Sequence, residues 1–184
     1  MAVLEGIARR VVLTGSESTG KTTLAAELAR HFGAPWIPEY VRGYMNRKGA
    51  PLDAGDVEPI ARGQIAVLDA ELARAGHLII LDTDLLSTVL YAEHYYGSCP
   101  EWIRQEAHAR RGDLYLLAGI DVPWTPDPQR DRAHNREEMA ELFRHALDSR
   151  RLPFVSLRGG RRERFEAAVG AIERSIRDLR HSGT

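Results

Sequence analysis

The fold is decided by the stretch Arg10-Val-Val-Leu-Thr-Gly-Ser-Glu-Ser-Thr-Gly-Lys-Thr-Thr23. Four residues separate Gly15 from Gly20, and Lys21 and Thr22 follow at once. This is the G-x-x-x-x-G-K-[ST] spacing of a phosphate-binding loop. The alternative is a chance match on a glycine-rich turn, so the sequence on either side of the loop has to distinguish the two.

The flanking sequence supports the phosphate-binding interpretation. Val11–Leu13 is an apolar run of the kind that forms a buried parallel strand. Behind the loop, Leu24, Leu28 and Phe32 recur every four residues, as on one face of a helix, and Gly33 is placed to end that helix. Strand, loop and helix therefore follow in the order that a phosphate site requires.

The loop supplies several kinds of phosphate ligand. Its glycines allow successive backbone N–H groups to point at phosphate oxygens, and the helix start adds its free N–H groups and dipole. We expect Lys21 to reach the β- and γ-phosphates and the Thr22 hydroxyl to bind Mg²⁺. The predicted ATP-binding residues of the loop are Gly15, Ser18, Thr19, Gly20, Lys21, Thr22 and Thr23.

Composition narrows the class of protein. The chain of 184 residues predicts one domain, residues 1–184, and its formal net charge is -1. Arginine pairs such as Arg110-Arg111 are typical of a solvated surface and not of a nucleic-acid track. Cys99 is the only cysteine, so neither an intrachain disulfide nor a cysteine metal cluster can form. With no signal peptide or membrane-length apolar run in the sequence, we expect a cytoplasmic protein.

Helical and strand patterns alternate along the chain. Strands are predicted at 11–14, 34–38, 77–82, 113–117 and 152–157, and helices at 21–32, 57–75, 85–96, 100–111, 136–150 and 161–180. Alternation of this kind predicts an α/β fold with a parallel sheet covered on both faces. Ligands should then lie at the carboxyl ends of the strands.

Two acids follow the apolar strand that ends at Leu81. Asp82 stands where a carboxylate could lie beside the Mg²⁺ that Thr22 also binds. The alternative is an ordinary aspartate that caps the next helix. Asp84 lies two residues further on, so one acid could cap the helix while the other acts on substrate.

Glu39 follows the second predicted strand, at the edge expected to face the phosphate acceptor. A carboxylate there could take the proton of an attacking hydroxyl or hold that hydroxyl in line. An equally good interpretation is a surface glutamate paired with Arg42. Asp84 is the competing candidate for the base.

The segment 121–135 is rich in proline, aspartate and arginine and predicts a loop, with a lid at about 124–136. Arg130, Arg132 and Arg136 could close over the transferring phosphoryl group and offset its charge. A proline-rich surface loop with incidental arginines is the alternative. After the fifth strand, Gly160 could allow close approach of adenine, although that signal is weak.

Two function classes remain: a small-molecule kinase and an NTP-driven regulatory module. A guanine-specific N-K-x-D element is not visible in the sequence. The acids, the aromatic residues after predicted strands and the arginine-bearing loop favour the kinase. The two classes differ in whether ATP turnover needs a small acceptor with a hydroxyl group.

Five motifs in order resemble the ribosylnicotinamide kinase domain of NadR-type proteins. They are Gly15-Ser-Glu-Ser-Thr-Gly-Lys-Thr-Thr23, Pro38-Glu-Tyr-Val-Arg42, Asp82-Thr-Asp84, His94-Tyr-Tyr-Gly97 and Pro123-Trp-Thr-Pro-Asp-Pro-Gln-Arg-Asp131. The resemblance covers nearly the whole chain. It implies the three-layer P-loop fold with a five-stranded parallel sheet. It also implies Mg²⁺-dependent transfer of the ATP γ-phosphate to the 5′-hydroxyl of nicotinamide riboside, giving NMN.

The resemblance also implies roles for individual residues. Lys21, Thr22 and Asp82 correspond to phosphate and Mg²⁺ residues, and Arg130, Arg132 and Arg136 lie in the lid. Residues near the riboside are Glu39, Tyr40, Arg42, Asp84 and Trp124. Family members are often fused to an NMN adenylyltransferase or a DNA-binding helix-turn-helix, and we expect neither activity here, nor a nucleic-acid or membrane partner. A homo-oligomer is compatible with the sequence. The alternatives are a kinase for thymidine or deoxycytidine, or an ATP-driven regulatory module.

Overall fold

The structure is a computed structural model that describes residues 8–123 and 136–182. Its five strands are β1 (Arg9–Thr14), β2 (Trp36–Ile37), β3 (Leu78–Asp82), β4 (Leu114–Ala118) and β5 (Phe154–Leu157). Its helices are α1 (Lys21–Phe32), α2 (Tyr40–Lys48), α3 (Val57–Leu72), α4 (Leu85–Tyr96), α5 (Glu101–Ala109), α6 (Arg136–Ser149) and α7 (Arg161–Ser182), with a short 3-10 helix at Ala54–Asp56.

The strands form one parallel sheet in the order β2-β3-β1-β4-β5. β1 therefore lies in the centre, between β3 and β4, and Leu13 is level with Asp82 on one side and Leu116 on the other. Because all strands run the same way, the loop after β1 and the acids after β3 meet at one edge. The predicted α/β class and five-stranded parallel sheet are confirmed.

Alternate residues of β1 pack on opposite faces of the sheet. Val11 and Leu13 lie in a core with α1 and α7, which contribute Leu28 and Ile172. Val12 lies in a second core, which α3, α4 and α6 complete. Helices thus cover both faces, as the uninterrupted apolar strands predict. A third cluster joins α3, α4 and α5 and includes the buried thiol of the free Cys99.

The largest difference from the sequence prediction is α2. This nine-residue helix begins after Glu39 and ends at Gly49, which has a left-handed φ of 64°. None of its residues is buried, so the sequence carries no apolar stripe to mark it. β2 is also shorter than predicted. It has two residues, because Pro35 and Pro38 on either side have no N–H to donate to the sheet.

No helix in the described parts of the chain combines the length and the apolar character that a membrane span requires.

Candidate active site

The phosphate-binding loop leaves β1 and enters α1 through backbone conformations that glycine favours. Gly15 has φ 120° and Gly20 has φ 81°. A Cβ on Gly15 would lie 2.9 Å from the Ala118 carbonyl oxygen, so only glycine lets β4 approach the loop this closely. Ser18 adopts φ 53°, a left-handed conformation that is uncommon outside glycine. The loop is consequently fixed tightly against the sheet.

Several backbone carbonyl oxygens of the loop accept hydrogen bonds from side chains. Lys21 is buried, and its Nζ donates to the carbonyl oxygens of Gly15 at 3.0 Å and Ser16 at 2.7 Å. The Thr19 hydroxyl donates to the Ser16 oxygen at 2.9 Å. Arg136 Nη2 donates to the Ser18 oxygen at 3.2 Å. In a planar trans peptide the C=O and the N–H point in opposite directions. A peptide whose carbonyl oxygen accepts from one of these side chains therefore directs its N–H away from that side chain.

Arg136, at the start of α6, therefore lies beside the phosphate loop. Burial and the neighbouring guanidinium of Arg164 lower the pKa of Arg136 from its usual range. Gly160 lies in the β5–α7 loop at the same edge of the sheet. Its N–H donates to Glu163 at 2.7 Å. Thr23 is on the exposed side of α1.

Thr22 and Asp82 are in direct contact across the edge of the sheet. The Thr22 Oγ1 hydroxyl donates to Asp82 Oδ2 at 2.6 Å, and Asp82 is only 2% exposed. A hydroxyl and a carboxylate oxygen beside a phosphate site are the hard oxygen ligands that Mg²⁺ prefers. Within residues 8–123 and 136–182, no three His, Cys, Asp or Glu side chains gather to hold a metal. The donor set therefore fits Mg²⁺ shared with nucleotide phosphates and not a cage made by the protein alone.

Asp84 has a different environment from Asp82. It is buried and caps α4, with Oδ1 accepting from the Leu86 N–H at 3.1 Å. Its Oδ2 accepts from the Tyr115 hydroxyl at 2.7 Å, and that hydroxyl accepts from the Gly112 N–H at 2.9 Å. Burial raises the pKa of Asp84 to about 6. Of the two acids after β3, the helix cap is thus Asp84, and the neighbour of Thr22 is Asp82.

A cleft opens beside these acids, between β3, α2 and α3. Its lining includes Ile37, Tyr40, Gln64, Leu81, Asp82 and Asp84. The Tyr40 ring rests on α3 at Gly63, where a Cβ would overlap the ring and lie 2.5 Å from its Cε1. The Arg47 guanidinium lies 5.6 Å from the centroid of the Tyr40 ring. Tyr40 is thereby fixed as one wall of the cleft.

Glu39 lies at the start of α2, close to this cleft. Arg42 Nε is 3.8 Å from Glu39 Oε2, the ion pair that formed the alternative to a catalytic role. The Glu39 side chain is 14% exposed and the Arg42 side chain 41%. The ion pair leaves Glu39 beside the cleft, with only part of its side chain exposed.

Sequence reasoning missed a buried arginine in α7. Arg164 is 4% exposed and donates to carbonyl oxygens of three loops at the carboxyl edge of the sheet, and it also contacts the Asp121 carboxylate. The only signal in the sequence was an arginine at a position where helical spacing places it among the buried Ala168 and Ala171. An arginine on an otherwise apolar face of a helix is a pattern that could have marked it.

Three predicted site residues, Trp124, Arg130 and Arg132, lie outside the described residues, as does the predicted lid up to residue 135.

The family model described as "AAA domain" matches residues 10–164 of the chain. The trifunctional NAD biosynthesis/regulator protein NadR of Escherichia coli (strain K12) is 28% identical over 153 residues, which are 80% of this chain and 37% of that protein. The chain thus spans well under half the length of this curated relative.

Solved structures of NadR have the same architecture. A crystal structure of NadR in complex with NAD and AMP-PNP matches with a TM-score of 0.76 and 28% identity, over 92% of this chain and 49% of that one. A crystal structure of NadR in complex with NR matches with a TM-score of 0.77 and 27% identity, over 92% of this chain and 51% of that one. The resemblance to NadR predicted from the motifs is confirmed. The chain belongs to the AAA domain family and has a kinase-like P-loop fold.

Proposed function

We propose that this protein transfers the γ-phosphate of ATP to the 5′-hydroxyl of nicotinamide riboside, giving NMN. The observation that carries the proposal is the contact between Thr22 and Asp82, at which the phosphate loop meets the acidic cleft. The phosphate donor and the phosphate acceptor can therefore bind on opposite sides of the Thr22–Asp82 contact. The NadR structures with AMP-PNP and with NR support this pair of substrates.

On the donor side, the loop N–H groups and the start of α1 hold the phosphates, and Lys21 supplies positive charge near the transferred group. Lys21 already lies inside the loop, on the Gly15 and Ser16 carbonyls. A short movement of its flexible stem brings the ammonium to a phosphate oxygen. Its charge then offsets the negative charge that develops as the γ-phosphate is transferred.

Thr22 and Asp82 are the residues that would hold Mg²⁺ with the ATP phosphates. The chemistry that Mg²⁺ would supply there is partial neutralisation of the phosphate charge. In the structure the Thr22 hydroxyl donates to Asp82, so both oxygens lie together where the metal would be held.

On the acceptor side, Glu39 is the better candidate for the base that takes the hydroxyl proton, and Asp84 is the alternative. Both Asp84 oxygens already accept hydrogen bonds, from Leu86 and Tyr115. A base needs a lone pair directed at the reacting proton. We therefore propose that Asp84 mainly caps α4. Its charge would also act on the cleft.

The charge of the cleft suits the riboside. Nicotinamide riboside has a positively charged pyridinium ring, and Asp82 and Asp84 line the cleft while Glu39 lies beside it. The π face of Tyr40 adds an attraction for a cation, of about 0.5–2 kcal/mol depending on desolvation. Thymidine and deoxycytidine, which are neutral, gain neither contribution. Trp124 is proposed as a further ring contact, with Arg42 orienting Glu39.

The remaining parts of the proposal follow the resemblance to NadR. Residues 1–184 would act as one kinase domain in the cytoplasm. Arg130 and Arg132 would close over the transferring phosphoryl group together with Arg136. Gly160 would border the adenine. A homo-oligomer is compatible with this function, which needs no nucleic-acid or membrane partner.

The test is a panel of acceptors at fixed ATP and Mg²⁺, scored by ADP release: nicotinamide riboside, thymidine, deoxycytidine, uridine and buffer. We expect release with nicotinamide riboside well above every other arm, and mass spectrometry should identify NMN. Equal release in buffer would indicate an ATP-driven module and overturn the proposal. Lys21→Ala is the control, since it should abolish release with every acceptor while the circular dichroism spectrum stays native.

A further inference from the structure

One buried guanidinium joins three loops at the carboxyl edge of the sheet. Arg164 donates to the carbonyl oxygen of Thr19 in the phosphate loop at 3.0 Å. It also donates to Gly119 after β4 at 3.1 Å and to Gly159 after β5 at 2.8 Å. The Asp121 carboxylate pairs with its Nη2. Residues distant in sequence are thus bound to one side chain that is only 4% exposed.

The ion pair with Asp121 offsets the free-energy cost of burying the charge of Arg164. An isolated buried charge is strongly unfavourable, whereas a paired and hydrogen-bonded one is tolerated. Asp121 also accepts from the Gly159 N–H at 2.5 Å, and this bond, with the charge of Arg164, lowers the pKa of Asp121. Arginine suits the position because its five donors lie in a fixed planar fork, whereas lysine offers one ammonium group.

The loops are packed closely around the guanidinium. A Cβ on Gly119 would lie 2.6 Å from Asp121 Oδ1 and 2.9 Å from the Leu157 oxygen. A Cβ on Gly15 would lie 2.9 Å from the Ala118 oxygen, on the other side of the same backbone. The end of β4 and Gly119 thus lie between the phosphate loop on one side and the Arg164–Asp121 pair on the other. Arg164 is thus connected to the phosphate loop directly, through the Thr19 carbonyl, and indirectly, through the end of β4.

We propose that Arg164 is a positioning residue for the phosphate donor: by holding the Thr19 carbonyl, it fixes the Thr19–Gly20 peptide in the orientation that binds phosphate. Because a trans peptide is planar, the Gly20 N–H points away from the carbonyl that Arg164 holds. Gly20 itself is exposed, at the point where the loop enters α1. Arg164 itself does not contact the phosphates. The inference rests on the ATP site of the proposed function and is independent of the acceptor.

A second consequence concerns the base of the nucleotide. Arg164 donates to the Gly159 carbonyl oxygen, and Asp121 accepts from the Gly159 N–H. Gly159 has φ 85°. The β5–α7 loop is thereby held at a fixed distance from the phosphate loop. ATP would contact both loops. Because the two loops are already held together, ATP binding would cost less conformational entropy of the protein.

The experiment measures AMP-PNP binding by calorimetry for the wild type, Arg164→Lys and Arg164→Gln. A lost hydrogen bond to a charged group corresponds to about tenfold to a hundredfold in affinity. We expect AMP-PNP to bind Arg164→Lys about tenfold more weakly, and Arg164→Gln more weakly still. In steady-state assays the KM for ATP should rise while the KM for nicotinamide riboside stays constant.

Hydrogen exchange distinguishes positioning from a merely structural role. In Arg164→Lys, the amides of residues 16–20 and 158–160 should exchange faster while those of β1 and β3 stay protected. The matched control is Arg9→Gln, which removes a bond of 2.9 Å from Arg9 Nε to Ser175 on the same helix, at the opposite edge of the sheet. The control should bind AMP-PNP as the wild type does.

Wild-type affinity for AMP-PNP in folded Arg164→Lys would overturn the inference and leave the proposed function standing. If Arg164→Gln fails to fold, the Arg164→Lys result decides alone. An affinity loss as large in Arg9→Gln as in Arg164→Lys would also contradict it, since the effect would then be general destabilisation. A wild-type protein that does not bind AMP-PNP would contradict the proposed function itself.

Discussion

The Thr22 hydroxyl and the Asp82 carboxylate are hydrogen-bonded at 2.6 Å, although 60 residues separate them in the chain. The contact exists because β1 and β3 are neighbours and both end at the same edge, with Leu13 level with Asp82. Thr22 lies in the first turn of α1, directly after the phosphate loop, and Asp82 is the last residue of β3. One hydrogen bond thus joins the donor side of the candidate site to the acceptor side.

Removing either partner should change the Mg²⁺ requirement. Thr22→Ala and Asp82→Asn each take away an oxygen ligand or the charge behind one. We expect the Mg²⁺ concentration for half-maximal rate to rise about tenfold or more in both variants. The matched control is Asp113→Asn, an acid at the amino end of β4 that accepts from the Arg10 N–H. Unchanged Mg²⁺ dependence in Asp82→Asn would make Asp82 a structural residue.

Glu39→Gln tests the assignment of the base. The substitution keeps the size of the side chain and removes the charge that would accept the proton. We expect the rate of a single turnover to fall by about a hundredfold or more, with little change in the KM for ATP. Asp84→Asn should reduce the same rate less, because both Asp84 oxygens are occupied. The reverse order would identify Asp84 as the base.

Asp84 should also give the protein a pH-dependent stability. Its pKa is about 6 in the folded state, above the ordinary value of 3.8 for an aspartate, so protonation favours folding. The corresponding stabilisation, about 3 kcal/mol, is complete below pH 4 and is lost as the pH rises through 6. Asp84→Asn lacks this titration. Urea unfolding should therefore show Asp84→Asn gaining stability relative to the wild type between pH 4 and pH 7.

A pH-independent difference between Asp84→Asn and the wild type would contradict that account of Asp84. Comparing the two proteins at each pH removes the contributions of the other titrating groups, which both share.

Gly63→Ala should disturb the acceptor cleft without touching the donor site. The added Cβ would overlap the Tyr40 ring, which has to leave its place on α3. We expect the KM for nicotinamide riboside to rise severalfold, and the KM for ATP to stay constant. Gly43→Ala is the matched control, because its Cβ would meet only Arg47 Nη1, at 3.4 Å. Equal kinetics in both variants would remove Tyr40 from the acceptor site.

The central part of the fold could be predicted because local sequence determines it. The apolar run of β1, the glycines of the loop and the four-residue spacing of α1 each signal their structure within a few positions, and Gly33 ends α1 as predicted, with φ 61°. Parallel pairing then brings Asp82 to Thr22. α2 has no buried residue, so nothing in its pattern distinguishes it from a loop.

The parts of the site that could not be predicted depend on contacts distant in sequence. The hydrogen bond from Arg164 to Thr19 spans 145 positions. Gly63 has ordinary helical surroundings, and only the Tyr40 ring packed on it explains the glycine. Asp82 and Asp84 lie two residues apart in the sequence, and the difference between their environments is visible only once Tyr115 is seen to donate to Asp84.

The proposed function is tested most directly by competition between two acceptors of nearly the same shape. Nicotinamide riboside carries a pyridinium charge, and its reduced dihydro form is neutral. We predict that kcat/KM for phosphorylation of nicotinamide riboside exceeds kcat/KM for phosphorylation of its reduced form by about tenfold, because Asp82, Asp84 and Tyr40 line the cleft. Equal values for the two forms would contradict charge recognition in this cleft, and a preference for thymidine over both would contradict the assignment of the acceptor.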